Sequence, residues 1–153
     1  MSLPRRAFLT LAAAIPMSAG FATAALADKA PVYPSFFGTA VDGTDVVAYF
    51  TQNAPVKGSR DITHDWNGAT WQFSTEENRA AFAANPEAYA PQYGGYCAWA
   101  VSQGYTASTT PEAWRIVDGK LYLNYSLGVQ RQWEEDIPSR IAAADANWPA
   151  VLN

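Results

Sequence analysis

Two side chains of this sequence are of types that bind metal ions or attack substrates. His64 is the only histidine and Cys97 the only cysteine among the 153 residues. Imidazole and thiolate suit a cuprous ion, and a cysteine with a histidine can also form a nucleophilic pair. No local motif supplies an orienting residue or an oxyanion site, so catalysis is less favoured than binding. The structural alternatives are a hydrogen-bonded histidine at a strand start and a small buried thiol.

A second candidate site is aromatic. Aromatic residues form 14% of the chain, and several fall in its central part. These residues are Tyr93, Tyr96, Trp99, Tyr105, Trp114, Tyr122 and Tyr125. Such side chains usually fill a core, but a cleft lined by several would hold a flat or apolar ligand. We expect Tyr93, Tyr96 and Trp99 to contribute to such a cleft, with Asp45 and Arg115 as candidate polar anchors.

The composition excludes several classes of protein. The chain has 10 Lys and Arg against 14 Asp and Glu, a formal net charge of −4, which argues against a nucleic-acid partner because phosphate binding needs a basic surface. One cysteine and one histidine cannot form an internal disulfide or a four-ligand zinc finger. The length and the aromatic content indicate one folded domain.

Residues 1–27 are predicted to be an export signal. Arg5 and Arg6 precede a long uncharged run, and residues 25–27 (ALA) have the small-x-small pattern that a signal peptidase recognises. The paired arginines resemble a twin-arginine signal, although Pro4 replaces the usual Ser or Thr, which leaves the Sec route open. We expect cleavage before Asp28 and a periplasmic mature protein without a membrane span.

The mature chain is predicted to have an α+β fold. Residues 28–40 read as an extended arm on the surface and residues 41–153 as a single domain. The run from Val46 to Phe50 predicts a strand. Asn67-Gly68 and Asp118-Gly119 are strong turn signals between short apolar runs and predict two antiparallel hairpins. We expect these short β-hairpins to pack with three or four short helices.

A helix is predicted after each hairpin. Ser74 reads as an N-cap that bonds the amide of Glu77, with the helix running to about Ala84. Asn85-Pro86 ends it. The second helix begins at Ser126.

The second helix is expected to run through Trp133, and a third covers residues 137–146.

Gly68 and Phe82 are 14 positions apart, as are Gly119 and Trp133. This equal spacing suggests two copies of one unit that lie 51 residues apart in the sequence. The segment 93–101 fits either a helix or a strand.

The first hairpin and its helix resemble the YHS domain, a small module related to TRASH-type metal-binding folds. The similarity lies in residues 64–73 (HDWNGATWQF) and in five positions after them. These positions are Ser74, Asn78, Phe82, Pro86 and Tyr89. The upstream DVVAYF and the downstream YGGYC are similar to exported, stand-alone YHS proteins, so the resemblance covers most of residues 40–149.

The resemblance implies a metal site only in part of the family. Metal-binding members carry cysteine at the positions of Ser74 and Asn78, whose hydroxyl and amide are poor ligands for a soft ion. We therefore expect an exported, non-catalytic binding protein in which His64 and Cys97 hold a copper ion, as a carrier or accessory protein with a possible periplasmic partner. The alternative is a metal-free small-molecule or protein-interaction module that uses the aromatic cleft.

Overall fold

The computed structural model describes residues 29–35 and 37–153, so the expected export signal lies outside the described part. Six α-helices and three two-stranded antiparallel sheets occur within it, which confirms the α+β fold. Three of the helices have only four to six residues, and the helix number therefore exceeds the expected three or four. None of the described helices is long and apolar enough to cross a membrane.

The elements form two similar series along the chain. The first series comprises β1 (Thr44–Asp45), α1 (Val46–Thr51), β2 (Val56–Lys57), β3 (Ser59–Trp66), β4 (Ala69–Phe73), α2 (Glu76–Ala84) and α3 (Pro86–Tyr89). The second series comprises α4 (Ala98–Ser102), β5 (Trp114–Val117), β6 (Lys120–Leu123), α5 (Leu127–Glu134) and α6 (Ile137–Asn147). β1 pairs with β2, β3 with β4, and β5 with β6.

Both predicted hairpins are confirmed. The turn residues Asn67 and Gly68 have φ of 51° and 79°, and Asp118 and Gly119 have φ of 50° and 74°. Positive φ at both central positions is the geometry of a type I′ turn, whose twist matches that of the flanking strands. The turn residues therefore fix the register of both hairpins.

The strand predicted from Val46 to Phe50 is wrong, because these residues belong to helix α1. The Asp45 carboxylate accepts hydrogen bonds from the amides of Val47 (3.0 Å) and Ala48 (3.4 Å), and such an N-cap starts a helix. The apolar run lacks a polar face because its first four residues, 46–49, are all buried. In the second series, the undecided segment contains helix α4.

The predicted N-cap of α2 is off by one residue. Thr75, and not Ser74, accepts a hydrogen bond from the amide of Asn78, at 3.1 Å. The hydroxyl of Ser74 is bonded to the Asp45 carboxylate instead. The predicted start of the second helix at Ser126 is confirmed, since Ser126 is the N-cap of α5 and accepts from the amide of Val129.

The two series share a distinctive run of backbone conformations. Residues 41–43 have φ of 49°, 52° and 73°, and residues 93–95 have φ of 57°, 61° and 82°. Positive φ is uncommon outside glycine, so two such triplets 52 positions apart are a distinctive match. Each triplet is followed, after one extended residue, by the N-cap of a short helix: Asp45 for α1 and Cys97 for α4.

The match continues to the ends of the series. Asn85 has φ −154° and ψ 78°, and Asp136, 51 positions later, has φ −152° and ψ 71°. Phe82 and Trp133 are both fully buried on α2 and α5. These shared features agree with the duplication that the sequence suggests, and we call residues 41–89 the first repeat and residues 93–147 the second.

Strand β6 lies between two apolar clusters. Leu121 and Leu123 belong to a cluster around Trp71 and Phe82 of the first repeat. Tyr122, on the opposite face of the strand, belongs to the cluster of the second repeat. This alternation follows from the two-residue period of a strand.

The N-terminal arm is more deeply embedded than expected. Val32 is buried, and the amide of Tyr33 donates to the Gly94 carbonyl at 2.8 Å. A side chain at Gly94 would collide with the Pro31 carbonyl oxygen. The amide of Lys29 donates to the Leu152 carbonyl at 2.8 Å, so the arm joins the C-terminal turn to the second repeat.

Candidate functional site

The candidate site is built around Cys97, the N-cap residue of α4. Its side chain is buried, and the thiol donates to Oδ1 of Asn124 at 3.6 Å. Burial raises the pKa of the Cys97 thiol, whereas hydrogen bonding from the backbone of Ala100, Tyr125 and Trp99 acts in the opposite direction. Because burial is the larger effect, the thiol is neutral at physiological pH.

The equivalent place in the first repeat is occupied by a buried carboxylate. Oδ2 of Asp45 accepts from the amide of Ser74 (2.8 Å), the hydroxyl of Ser74 (2.6 Å) and the side-chain amide of Asn78 (2.8 Å). Oδ1 accepts from the two α1 amides already described. We call Asp45, Ser74 and Asn78 the Asp45 cluster. Its hydrogen bonds compensate the burial of the charge.

Cys97 has the same backbone surroundings as Asp45 but different side-chain neighbours. Asp45 accepts hydrogen bonds from the backbone of Val47 and Ala48, the second and third residues after it. Cys97 is hydrogen-bonded in the same way by the backbone of Trp99 and Ala100, the second and third residues after it. Tyr125 and Val129 stand 51 positions after the other members of the Asp45 cluster. A phenol and an isopropyl group thus replace a hydroxyl and an amide.

Ser74 and Asn78, the positions at which the resemblance to metal-binding YHS domains would place cysteine, do not offer ligands to a metal ion in this chain. The Ser74 hydroxyl and the Asn78 amide both donate hydrogen bonds to Asp45, so both side chains stabilise a buried carboxylate. Sequence reasoning named all three residues but did not join them, because Asp45 is 29 and 33 positions away from its partners. Arg115, the other expected anchor, is exposed and pairs with Glu134.

A pocket of about 230 Å³ adjoins Cys97. Its walls are uncharged, and it is lined by Cys97, Trp99, Ala100, Tyr105, Ala107, Tyr125 and Val129. Trp99 and Tyr105 meet edge to face, with ring centroids 6.2 Å apart. The residues Tyr105 and Tyr125 are 48% and 57% exposed, which places them at the rim. We call this the Cys97 pocket.

Two buried N–H groups near the pocket have no hydrogen-bond partner among the described residues. They are Nε1 of Trp99, a residue that lines the pocket, and Nδ2 of Asn124. The Asn124 carboxamide oxygen is engaged by the Cys97 thiol and by the amide of Trp99, at 3.1 Å. A buried donor without an acceptor is unfavourable.

The three aromatic residues expected to share one cleft lie in different surroundings. Trp99 lines the Cys97 pocket. Tyr93 lines a separate cleft of about 500 Å³ together with Trp66 and Trp148, and its hydroxyl donates to Asp145 at 2.8 Å. The hydroxyl of Tyr96 donates to the Ala30 carbonyl at 2.8 Å. The Tyr93 hydroxyl bond thus lies within the second repeat, whereas that of Tyr96 holds the N-terminal arm to it.

His64 lies on β3 of the first repeat, opposite Trp71. Its ring contacts Phe82, with centroids 6.0 Å apart. Cys97 contacts Asn124 in the second repeat, so the contacts of the two residues belong to different repeats. Within residues 29–35 and 37–153, no three His, Cys, Asp or Glu side chains form a group that could hold a metal ion.

Comparison with known proteins adds no further constraint on the site. No protein-family model matches the chain, and no curated protein and no solved structure matches it significantly. The function is therefore argued from the geometry of the two repeats.

Proposed function

We propose that this protein is an exported, non-catalytic binding protein that holds a small molecule in the Cys97 pocket. The observation that carries the proposal is the difference between the repeats. In the first repeat, hydrogen bonds from Ser74 and Asn78 saturate the Asp45 carboxylate. In the second, the corresponding side chains, Tyr125 and Val129, line an open apolar pocket.

The size of the pocket favours a ligand with a single ring. A cavity of about 150 Å³ with apolar walls binds benzene. The Cys97 pocket, at about 230 Å³, is somewhat larger than that and smaller than the sites of roughly 300–1,000 Å³ that take drug-sized ligands. A substituted six-membered ring or a short branched chain has the appropriate volume.

Binding is favoured over catalysis by the partner of the thiol. Cys97 donates to a carboxamide oxygen, and such an oxygen cannot act as the general base that activates a cysteine nucleophile. The increase in pKa caused by burial further keeps the thiol protonated.

A copper carrier is the second candidate. The supporting observation is that a buried thiol lies on the wall of a pocket, where it could supply one soft ligand to a cuprous ion. His64 would have to approach Cys97 for the pair to share the ion. The metal content of the purified protein tests this candidate.

Restoring the side chains of the first repeat tests the proposed function. The triple variant Cys97→Asp, Tyr125→Ser and Val129→Asn reproduces the Asp45 cluster in the second repeat and should remove the pocket. Binding of a panel of single-ring probes, such as isopropylbenzene and acetophenone, is measured by NMR titration. The wild type should bind at least one probe, and the triple variant none. Leu127→Ala is the matched control, because Leu127 is exposed on the same helix and is not among the lining residues.

A single substitution that fills the pocket provides a second test, in case the triple variant does not fold. Val129→Phe adds a ring to the pocket wall and should also abolish binding. Circular dichroism checks that each variant is folded. The proposal is overturned if the wild type binds none of the probes, or if folded variants with a filled pocket bind as tightly as the wild type.

A further inference from the structure

We propose that the cleft lined by Trp66, Trp148 and Glu87 binds a small organic cation with apolar groups on its nitrogen, such as a trimethylammonium compound. The cleft has a volume of about 500 Å³, within the roughly 300–1,000 Å³ range of small-molecule sites. It shares no lining residue with the Cys97 pocket, so this site is independent of the function proposed above.

The cleft lies where separate parts of the chain meet. Trp66 comes from the end of β3 and Glu87 from helix α3, both in the first repeat. Trp148 follows helix α6, and Val32 belongs to the N-terminal arm. Boundaries between packed units of a fold are a frequent location of ligand sites.

Two indole rings give the cleft a partly exposed aromatic surface. Trp66 and Trp148 are both half-buried, and each packs on a buried ring. The centroids of Trp66 and Trp71 are 5.9 Å apart, and those of Trp148 and Tyr93 are 6.0 Å apart. Hydrogen bonds hold the buried rings, from Trp71 to the Trp66 carbonyl at 3.0 Å and from Tyr93 to Asp145 at 2.8 Å. The packed indoles need little ordering when a ligand binds, which lowers the entropic cost.

The charge on the cleft wall is negative and unpaired. Glu87 is the only charged residue among those that line the cleft, and it forms no ion pair within the described part of the chain. The ammonium group of Lys29 donates to the Val151 carbonyl at 3.0 Å, and Lys29 does not line the cleft. The Glu87 carboxylate therefore attracts a cation that enters the cleft and repels an anion.

The combination of indole rings with one carboxylate selects an alkylated ammonium group. A compact cation would lose tightly held water on entering, and a single carboxylate does not replace that water. Methyl groups on the nitrogen bury apolar surface against the walls, and the positive charge is attracted by the faces of the indole rings. A neutral compound of the same shape gains only the first of these contributions.

Choline and 3,3-dimethylbutan-1-ol separate the effect of charge from the effect of shape. They differ in the atom that carries the three methyl groups, which is a positively charged nitrogen in choline and a neutral carbon in the alcohol. Their affinities are measured by NMR titration at low ionic strength. Choline should bind about fivefold more tightly than the alcohol, and the indole N–H resonances of Trp66 and Trp148 should shift.

Glu87→Gln tests the role of the carboxylate, and because Glu87 is exposed the variant should fold normally. It should lower the affinity for choline about threefold and leave that for the alcohol unchanged. Glu77→Gln is the matched control, because Glu77 is exposed on the preceding helix and does not line the cleft. This control removes the same charge from the protein and should leave both affinities unchanged.

Trp148→Leu tests the aromatic contribution. Leucine keeps an apolar side chain at this position and removes the indole face, so the ratio of the choline affinity to the alcohol affinity should fall. Circular dichroism checks that the variant is folded. The triple variant with the altered Cys97 pocket should bind choline as the wild type does, so the two sites are tested separately.

Four outcomes would overturn the proposal. The first is equal binding of choline and the alcohol, and the second is an equal effect of Glu87→Gln and Glu77→Gln. The third is tighter binding of methyl glucoside than of choline, which would make the cleft a carbohydrate site. The fourth is tighter binding of phosphocholine, whose phosphate should be repelled by Glu87, because it would assign the cleft to a lipid headgroup and not to a free cation.

Discussion

The hydroxyl of Ser74 donates a 2.6 Å hydrogen bond to the Asp45 carboxylate, across 29 positions of sequence. Asp45 is fully buried and begins helix α1, whereas Ser74 lies just before helix α2. The bond therefore connects the starts of the two helices through the Asp45 carboxylate. The N-cap of α2 is the next residue, Thr75.

Alanine substitutions at these adjacent positions should have unequal effects. Ser74→Ala should lower the free energy of unfolding by about 1.5–3 kcal/mol, the contribution of a hydrogen bond to a charged group. Thr75→Ala should cost about 1 kcal/mol, as expected for an N-cap. Urea unfolding measures both. A larger loss for Thr75→Ala would contradict the role assigned to Ser74.

Gly94→Ala should destabilise the protein more than Gly119→Ala. Both glycines have positive φ, 61° and 74°, so both variants carry the conformational cost of about 1–2 kcal/mol. Only at Gly94 does the added methyl meet the Pro31 carbonyl, and overpacking typically costs about 1–3 kcal/mol more. Thermal unfolding of the two variants gives the comparison. Equal melting temperatures of the two variants would show that Pro31 can move away from the added methyl group without a loss of stability.

Stability should decrease in alkaline solution, partly because of Cys97. Burial raises the pKa of its thiol above the ordinary value of 9.0, so the unfolded chain releases this proton at lower pH than the folded one. The stabilisation is complete below pH 9.0 and is lost as the pH rises through the raised pKa. Cys97→Ser should therefore lose less stability than wild type as the pH rises above 9.0, as measured by urea unfolding.

Tyrosine ionisation provides the comparison for that experiment. Burial raises the pKa of Tyr49 and Tyr93 far above the ordinary 10.0, so their contribution is lost only at higher pH and is common to both proteins. Identical pH slopes of wild type and Cys97→Ser would contradict the effect assigned to the thiol.

The copper hypothesis predicts metal in protein purified from the periplasm without added metal. His64→Ala and Cys97→Ser should each remove most of it, and the double variant should lose little more, because either change dismantles the site. Copper binding should weaken as the pH falls, because protons compete with the ion for its ligands. Background metal in the wild type, together with additive losses of stability, would show that both residues serve packing alone.

The predicted export signal lies outside the described residues. We expect the mature protein to begin at Asp28, and N-terminal sequencing of the exported form checks this. Replacing Arg5 and Arg6 by lysine should block export by the twin-arginine route. Unchanged export would indicate the Sec route, and membrane-bound protein that retains residues 9–27 would contradict cleavage.

Local signals predicted the hairpins well and the first short helix poorly. Asn67-Gly68 and Asp118-Gly119 determine their own backbone conformation, so the turns were predictable from four residues. Helix α1 was not predictable in this way. Its β-branched and aromatic sequence favours a strand, and its helical state depends on the Asp45 cap and on burial by the rest of the fold.

The candidate site was predicted in part. Cys97 and Trp99 were named from residue type, and both line the pocket. The role of Val129 was not foreseen, since a valine on a helix carries no chemical signal. The available clue was the 51-residue spacing, which aligns Val129 with Asn78 and Tyr125 with Ser74.

The position of β6 between the two apolar clusters has a consequence for folding cooperativity. Leu121 and Leu123 complete the cluster of the first repeat, although they belong to the second. Tyr122 of the same strand packs in the other cluster. Separating the repeats would thus expose apolar surface on both fragments. Although the two halves share backbone features, neither half has an intact core of its own, and we expect the chain to unfold as one cooperative unit.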